Sequence, residues 1–162
     1  MTIIIKKQNM KQSVLTIIRN DGTSTWAKLY KGMETHDIAH YCVESTLNFS
    51  HAFYGIINHD YKIQDFALPR EERPHAVKPE NLHNEALVTE HIVNLLEVEK
   101  QSDSRNNDFI KTLKMILEQN NLSFPNKLNE TSLQKIRRDY HQLVDKWESL
   151  KEDEELRITF TP

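Results

Sequence analysis

The sequence predicts an α+β fold, in which a small, mostly antiparallel sheet is covered by about four helices. Three observations lead to this prediction. Residues 2–7, 12–19 and 23–30 are rich in β-branched side chains, as strands are. The middle of the chain has apolar residues at helical spacing. Residues 156–160 alternate between apolar and polar side chains, so we expect a final half-buried strand that joins the N-terminal hairpin.

The turn of that hairpin is marked by Asn20-Asp21-Gly22. An Asp-Gly pair between strand-like runs favours a two-residue type I′ loop, because both loop positions need a positive φ. Such a loop places Ile18 opposite Thr25. The side chains expected on the face that receives a helix are Val14, Thr16, Ile18, Ala27 and Leu29.

The first helix is expected to run from Thr35, as its N-cap, to about residue 48 and to resume to about residue 57. His36, His40 and Glu44 follow one another at i, i+4 and i+8, and they therefore share one stripe of this helix. The rest of the helix is apolar nearly all round, which predicts a central and largely buried position. The polar stripe is then expected to face a pocket or a seam.

Residues 66–81 form the longest irregular stretch and contain three of the five prolines. Loops of this length in compact domains are lids, binding loops or solvated connectors, and these alternatives stay open. Apolar spacing predicts three more helices, the last with a capping box formed by Thr131 and Gln134. Their expected ranges are 82–100, 104–120 and from 131 to about 150.

Composition indicates a single domain, 1–162, with a net charge of −3. This charge offers no electrostatic reason to expect a nucleic acid or a membrane as partner. The apolar run Ile3-Ile4-Ile5 is too short for a signal peptide. Cys42 is the only cysteine, so no internal disulfide forms and a reducing, cytoplasmic location is expected. The sequence leaves open the oligomeric state and the small molecule or protein partner.

The candidate chemistry lies on His36 and His40. Two histidines at i, i+4 on a helix can bind one metal ion, as they do in known zinc motifs. Glu44 lies about 12 Å along the helix from His36, so the third ligand must come from another element. We expect that ligand to be His91, in the middle of the predicted apolar face of the 82–100 helix.

Asp37 and Glu44 are the candidate catalytic residues, acting either as a general base or as the group that orients a ligand. The expected ion is divalent, one of zinc, manganese, iron or nickel, and the expected activity is that of a hydrolase. Glu85 is a weaker candidate ligand. The structural alternative makes His36 a partly exposed residue of the first helical turn and His40 a hydrogen-bonded core histidine.

Four segments, taken in order, resemble a family of uncharacterised bacterial proteins with a domain of unknown function. The segments are Asp21-Gly22-x-x-Thr25-Trp26, His36-Asp37-x-x-His40-Tyr41-x-x-Glu44, Phe53-Tyr54-Gly55-Ile56 and Trp147-x-x-Leu150. The resemblance implies a bacterial, intracellular domain whose most distinctive mark is the His-Asp-x-x-His-Tyr segment. It implies no activity.

Two functions therefore stand side by side. The first is a metal- or ligand-binding protein with hydrolase activity. The second is a non-enzymatic interaction or regulatory module, in which the histidine stripe is a buried hydrogen-bond network and residues 66–81 or a sheet edge meet a partner. With three glycines in the whole chain, the sequence has neither a P-loop nor a dinucleotide-binding fingerprint.

Overall fold

The computed structural model describes residues 1–8, 12–102 and 108–161. These residues contain four strands and five α-helices, so the architecture is α+β as predicted, with one helix more than expected. The start predicted for the helix over 104–120, residue 104, lies outside the described residues. The bounds are β1 Thr2–Lys6, β2 Val14–Ile18, β3 Ser24–Lys28, α1 Met33–Leu47, α2 Phe53–Asn58, α3 Asn84–Ser102, α4 Phe109–Gln119, α5 Glu130–Ser149 and β4 Glu155–Thr159.

The sheet has the strand order β3-β2-β1-β4, and every pair of neighbours is antiparallel. β1 is therefore a central strand, with β2 on one side and β4 on the other. In the second pairing Ile3 lies opposite Ile158, and Ile5 lies opposite Leu156. The predicted C-terminal strand is confirmed, and it joins the sheet beside the first strand of the chain.

The loop between β2 and β3 has three residues, one more than predicted. The carbonyl of Arg19 accepts from the amide of Gly22 at 3.0 Å, and the amide of Arg19 donates to the carbonyl of Thr23 at 2.8 Å. Gly22 has a φ of 86°, a left-handed conformation that glycine adopts without a steric penalty. This arrangement is a type I turn followed by a left-handed residue, a common three-residue hairpin loop.

The longer loop shifts the hairpin register by one residue. Ile17, and not Ile18, lies opposite Thr25. Because side chains alternate along a strand, a shift of one residue exchanges its two faces. Leu15 and Ile17 are fully buried and form the face of β2 that meets the helices. The predicted inward face was therefore wrong for three residues of β2, namely Val14, Thr16 and Ile18.

α1 is the central helix, as predicted. It packs against α2, α3 and α5, and eight of its fifteen residues are buried. The helix begins at Met33, because the chain turns at Gly32 with a φ of 95°. Thr35 lies inside the first turn, where its hydroxyl donates to the carbonyl of Gly32 at 3.1 Å, so its predicted role as N-cap was wrong. Asn48, with a φ of 55°, ends the helix.

α2 follows after a short turn, and Gly55 allows it to pack closely on that turn. A Cβ atom added to Gly55 would lie 2.3 Å from the carbonyl carbon of Ser50. Since the obstructing atom belongs to the backbone, a larger residue forces α2 away from the turn. Gly55 is therefore the point at which α2 packs closely on the turn that joins it to α1.

The segment between α2 and α3 is built from short 3₁₀ turns. Its beginning is fixed to the edge strand β3, because the side-chain amide of Gln64 donates to the carbonyl of Trp26 and accepts from the hydroxyl of Thr25. The Arg19 guanidinium donates to the carbonyl of Tyr61 and ties the segment to the hairpin loop as well. The 3₁₀ turns are Ile63–Ala67, Arg70–Glu72, His75–Val77 and Pro79–Asn81.

α3 presents a slightly different face to the core than its apolar spacing predicts. The apolar spacing that predicts the 82–100 helix includes Val98, but Val98 is 60% exposed. Leu87 is only partly buried. The fully buried residues of α3 are Val88, Thr89, Ile92, Val93 and Leu96.

α5 begins one residue earlier than predicted and has a different cap. The Asn129 side chain accepts from the amide of Ser132 at 3.1 Å, and the Ser132 hydroxyl accepts from the amide of Asn129 at 2.8 Å. The capping box predicted for Thr131 and Gln134 is thus formed two residues earlier. Within the described ranges, no helix combines the length and apolar character needed to cross a membrane.

Candidate metal and ligand site

The polar stripe of α1 faces α3. His36, His40 and Glu44 lie along one side of α1, as their spacing requires, and α3 packs against this helix. α3 contributes Glu90 at the level of the two histidines. Glu44 and His40 are buried, His36 is partly buried, and the side chain of Glu90 is 53% exposed. The site therefore has a buried end and an open end.

Three side chains present possible metal ligands at one point, namely those of His36, His40 and Glu90. Their ligand atoms all lie within 4.8 Å of one another, and His40 Nε2 is 3.3 Å from Glu90 Oε1. Two atoms that bind one zinc ion at about 2.0–2.1 Å with tetrahedral angles are about 3.4 Å apart. His40 and Glu90 thus have the separation that a shared ion requires, and a ligand atom of His36 lies within 4.8 Å of both.

Glu44 holds the other side of the His40 ring. His40 Nδ1 is 3.3 Å from Glu44 Oε1, and because a carboxylate only accepts, Nδ1 carries the proton. Glu44 Oε2 accepts from the amides of Tyr54 at 2.9 Å and Gly55 at 3.2 Å. The first turn of α2 therefore fixes Glu44, and Glu44 fixes the ring. Histidines that bind metal ions are oriented in this way, by a carboxylate on the second ring nitrogen.

In the absence of an ion, the carboxyl groups around His40 determine its pKa. Burial opposes a charge on His40, but its hydrogen bonds to Glu44 and Glu90 outweigh this effect and raise its pKa to about 10. Burial alone would raise the pKa of Glu90, yet the His40 cation lowers it. Burial lowers the pKa of His36, and the neighbouring His40 lowers it further. Without an ion the site therefore favours an imidazolium at His40, held between Glu90 and Glu44, and burial raises the pKa of Glu44.

Asp37 is a buried carboxyl next to this group. It is 4% exposed, and its Oδ2 has no hydrogen-bond partner among the described residues. Burial raises the pKa of Asp37 to about 7, although the charge on His40 opposes the rise. A carboxyl with such a pKa can give or take a proton near neutral pH, as a general acid or base must.

A pocket of about 410 Å³ opens beside these groups, and His36, Asp37, His40 and Glu90 all line it. Phe53 forms part of its wall, with its ring centroid 5.7 Å from that of His40. Most of the remaining wall is apolar and comes from the sheet and the first 3₁₀ turn, including Leu15, Leu29, Ile63, Phe66 and Ala67. The site thus combines a few polar groups with a larger apolar cavity, as small-molecule sites do.

Most of the residues singled out from the sequence do lie together. His36 and His40 belong to the group of three, and Asp37 lines the same pocket. Glu44 contacts His40 from the side away from Glu90, which suits an orienting role and keeps it out of the ligand set.

The third member of the group is Glu90, which the sequence reasoning missed, and not its neighbour His91. Consecutive helical residues point about 100° apart, so the rotation of α3 that brings Glu90 to the two histidines turns His91 away from them. The sequence signal for Glu90 is that it shares one side of α3 with Glu97, two helical turns further on. The buried Val93 lies between these two acids. The charges of both acids act on His36.

A second group with ligand-like spacing lies on the surface and consists of His51, His83 and Glu85. Glu85 Oε2 already accepts from the amides of Ser50 at 2.9 Å and His51 at 2.7 Å. His83 Nδ1 accepts from the amide of Glu85 at 3.2 Å. These bonds tie the start of α3 to the turn between α1 and α2, so a structural role accounts for this group, to which the weaker candidate Glu85 belongs.

No family model, no curated protein and no solved structure matches the chain. The resemblance to a family of uncharacterised bacterial proteins therefore stays a prediction. The geometry of the site therefore provides the evidence for a function.

Proposed function

We propose that the protein binds one divalent metal ion through His36, His40 and Glu90 and acts on a small molecule in the adjoining pocket. The observation that carries this proposal is the environment of the His40 ring. Its Nδ1 is fixed by the buried Glu44, while its Nε2 faces Glu90 beside His36. Two histidines and one carboxylate are a ligand set of zinc hydrolases and of non-haem iron enzymes.

The chain itself supplies the other requirements of metal-assisted hydrolysis, the reaction class that we propose. A divalent ion held by three side chains keeps positions open for a substrate and polarises it as a Lewis acid. Asp37 is the candidate general base, since its buried carboxyl lines the pocket and its Oδ2 has no hydrogen-bond partner among the described residues. Glu44 holds the His40 ring in place, and the apolar wall limits access of water.

The test is the metal content of purified protein that has been stripped with a chelator, exposed separately to zinc, manganese, iron and nickel salts, and desalted. We expect one equivalent of one of these ions. Glu90→Gln and His36→Asn should lose most of it, and both should fold, because neither side chain is fully buried. His83→Ala is the matched control, since it removes an imidazole from the surface group alone. Retention of the ion in both site variants would refute the proposal.

The second candidate function is that of an interaction or regulatory module without a metal ion. One observation favours it: both ring nitrogens of His40 already contact carboxylates, those of Glu44 and Glu90. A buried imidazolium paired in this way joins α1 to α3 without any ligand. On this account the wild type binds no metal, and His40→Ala lowers the free energy of unfolding without affecting any metal content.

A further inference from the structure

Four of the polar side chains that line the pocket lie together, whereas Lys28 and Tyr30, which also line it, are exposed residues. The ligand atoms of His36, His40 and Glu90 lie within 4.8 Å of one another, and Asp37 follows His36 in the same helix. Elsewhere in the lining, the side-chain amide of Gln64 is engaged with β3. The pocket therefore has one polar end and a mostly apolar body.

The apolar body is built from rigid parts of the fold. Leu15 is fully buried in β2, and Leu29 is 7% exposed where β3 leaves the sheet. Phe53 and Phe66 face each other with ring centroids 5.1 Å apart. These four side chains have no polar atom, so a hydroxyl or charged group of a ligand that lay against them would lose its hydrogen bonds to water without replacement.

We infer that the pocket takes a single-headed ligand, an aliphatic or aromatic body that carries one metal-binding group such as a carboxylate, an ester or an amide. This inference rests on the proposed function, because the head group is placed at the ion held by His36, His40 and Glu90. It disfavours sugars and nucleotides, whose polar groups are distributed along the whole molecule.

The volume of the pocket sets the size of the ligand. At about 30 Å³ per non-hydrogen atom, roughly the share of a water molecule in the liquid, 410 Å³ holds on the order of a dozen such atoms. A head group of three or four atoms then leaves room for a chain of about eight to ten carbons. Longer chains extend past Ala67, an exposed residue of the pocket lining.

The experiment uses the zinc-loaded protein and straight-chain hydroxamic acids of increasing length, whose head group binds zinc and whose tail is a pure hydrocarbon. Binding is measured by titration calorimetry, together with the zinc content of the same samples. We expect the affinity to rise by up to about fourfold for each added methylene and to level off once the pocket is full. In Phe66→Ala the increment per methylene should fall. Met115→Ala, which removes an exposed apolar side chain from α4, is the matched control and should behave as the wild type.

The outcomes separate this inference from the proposal on which it rests. If each protein molecule holds one zinc ion but its affinity for the hydroxamic acids does not depend on tail length, the single-headed ligand is refuted and the metal site is retained. Tighter binding of a hydroxamate whose tail carries hydroxyl groups, compared with the plain tail of equal length, overturns it too. A protein that holds no metal overturns the proposed function and the inference together. A chain-length dependence that Phe66→Ala weakens and Met115→Ala preserves supports the inference.

Discussion

Glu44→Gln removes one charge from the centre of the molecule and keeps the shape of the side chain. The amides of Tyr54 and Gly55 donate to Oε2 of Glu44, and His40 Nδ1 meets Oε1. In the variant the glutamine oxygen must keep accepting from the backbone N–H groups of Tyr54 and Gly55, because a backbone N–H can only donate. Its NH₂ group then faces His40, so Nδ1 must give up its proton to accept, and the neutral ring keeps its proton on Nε2, the atom that the ion needs.

We expect this variant to lose about 10- to 100-fold in metal affinity, the usual effect of losing such an orienting partner. This factor corresponds to about 1.4–2.7 kcal/mol. The metal-free protein should lose about 1–3 kcal/mol of stability, because both bonds to the amides survive but the buried His40 imidazolium loses one of its two carboxylate partners. Glu44→Ala, by contrast, leaves the buried amides of Tyr54 and Gly55 without an acceptor, which costs about 1–3 kcal/mol for each.

Competition with a coloured zinc chelator measures the affinity, and urea unfolding of the metal-free protein measures the stability. Glu85→Gln is the matched control, since it makes the same chemical change in the surface group and should leave the affinity unchanged. If Glu44→Gln is folded and binds zinc as tightly as the wild type, then Glu44 does not set the proton position on His40, and the account of His40 as an oriented ligand is refuted.

Three further predictions concern the fold around the site. Gly55→Ala should lower the free energy of unfolding in urea by about 1–3 kcal/mol or more, because the added methyl group meets the backbone of Ser50; wild-type stability would show that the turn yields easily. Burial raises the pKa of Asp37 from 3.8 to about 7, so ionised Asp37 destabilises the metal-free fold above pH 7 and this cost vanishes below pH 4. Asp37→Asn should therefore exceed the wild type in stability at pH 8 by up to about 4 kcal/mol, and the difference should shrink towards pH 4; urea unfolding at the two pH values checks this, and an equal difference at both would contradict it. Cys42 is 1% exposed and burial raises the pKa of its thiol, so Ellman's reagent should leave it unmodified at pH 8 until urea unfolds the chain, whereas rapid labelling of the folded protein would show that α1 opens.

The helices and strands could be predicted from local sequence patterns. The wrong predictions concern features, such as the hairpin register, that change completely when a loop is one residue longer. The β-rich start, the central helix and the final strand are all present as predicted. The hairpin register was wrong because Asn20-Asp21-Gly22 fits both a two-residue and a three-residue loop, and the choice depends on which strand face the helices cover. That information is in the tertiary packing of Leu15 and Ile17, and local turn chemistry does not contain it.

For the site, too, the arrangement within one helix could be predicted, and the contacts between helices could not. His36, His40 and Glu44 belong to one helix, so their spacing alone places them on one stripe. The partner from α3 depends on how that helix is rotated against α1, and its apolar residues define this rotation too loosely to separate Glu90 from His91. The contact between Glu44 and the first turn of α2 could not be predicted from the sequence either, because its hydrogen bonds come from backbone amides, which every residue other than proline has.

The place of β1 in the sheet has a consequence for the order of folding. Its five residues pair with β2 nearby in the chain and with β4 about 150 residues away. During synthesis one edge of β1 is therefore left without a partner strand until residues 155–159 have been made. Closing so long a loop is slow compared with forming the hairpin or the helices. We expect the β1–β4 pairing to be a late step, and the open edge of β1 to be the point at which a nascent chain is most exposed to wrong pairing.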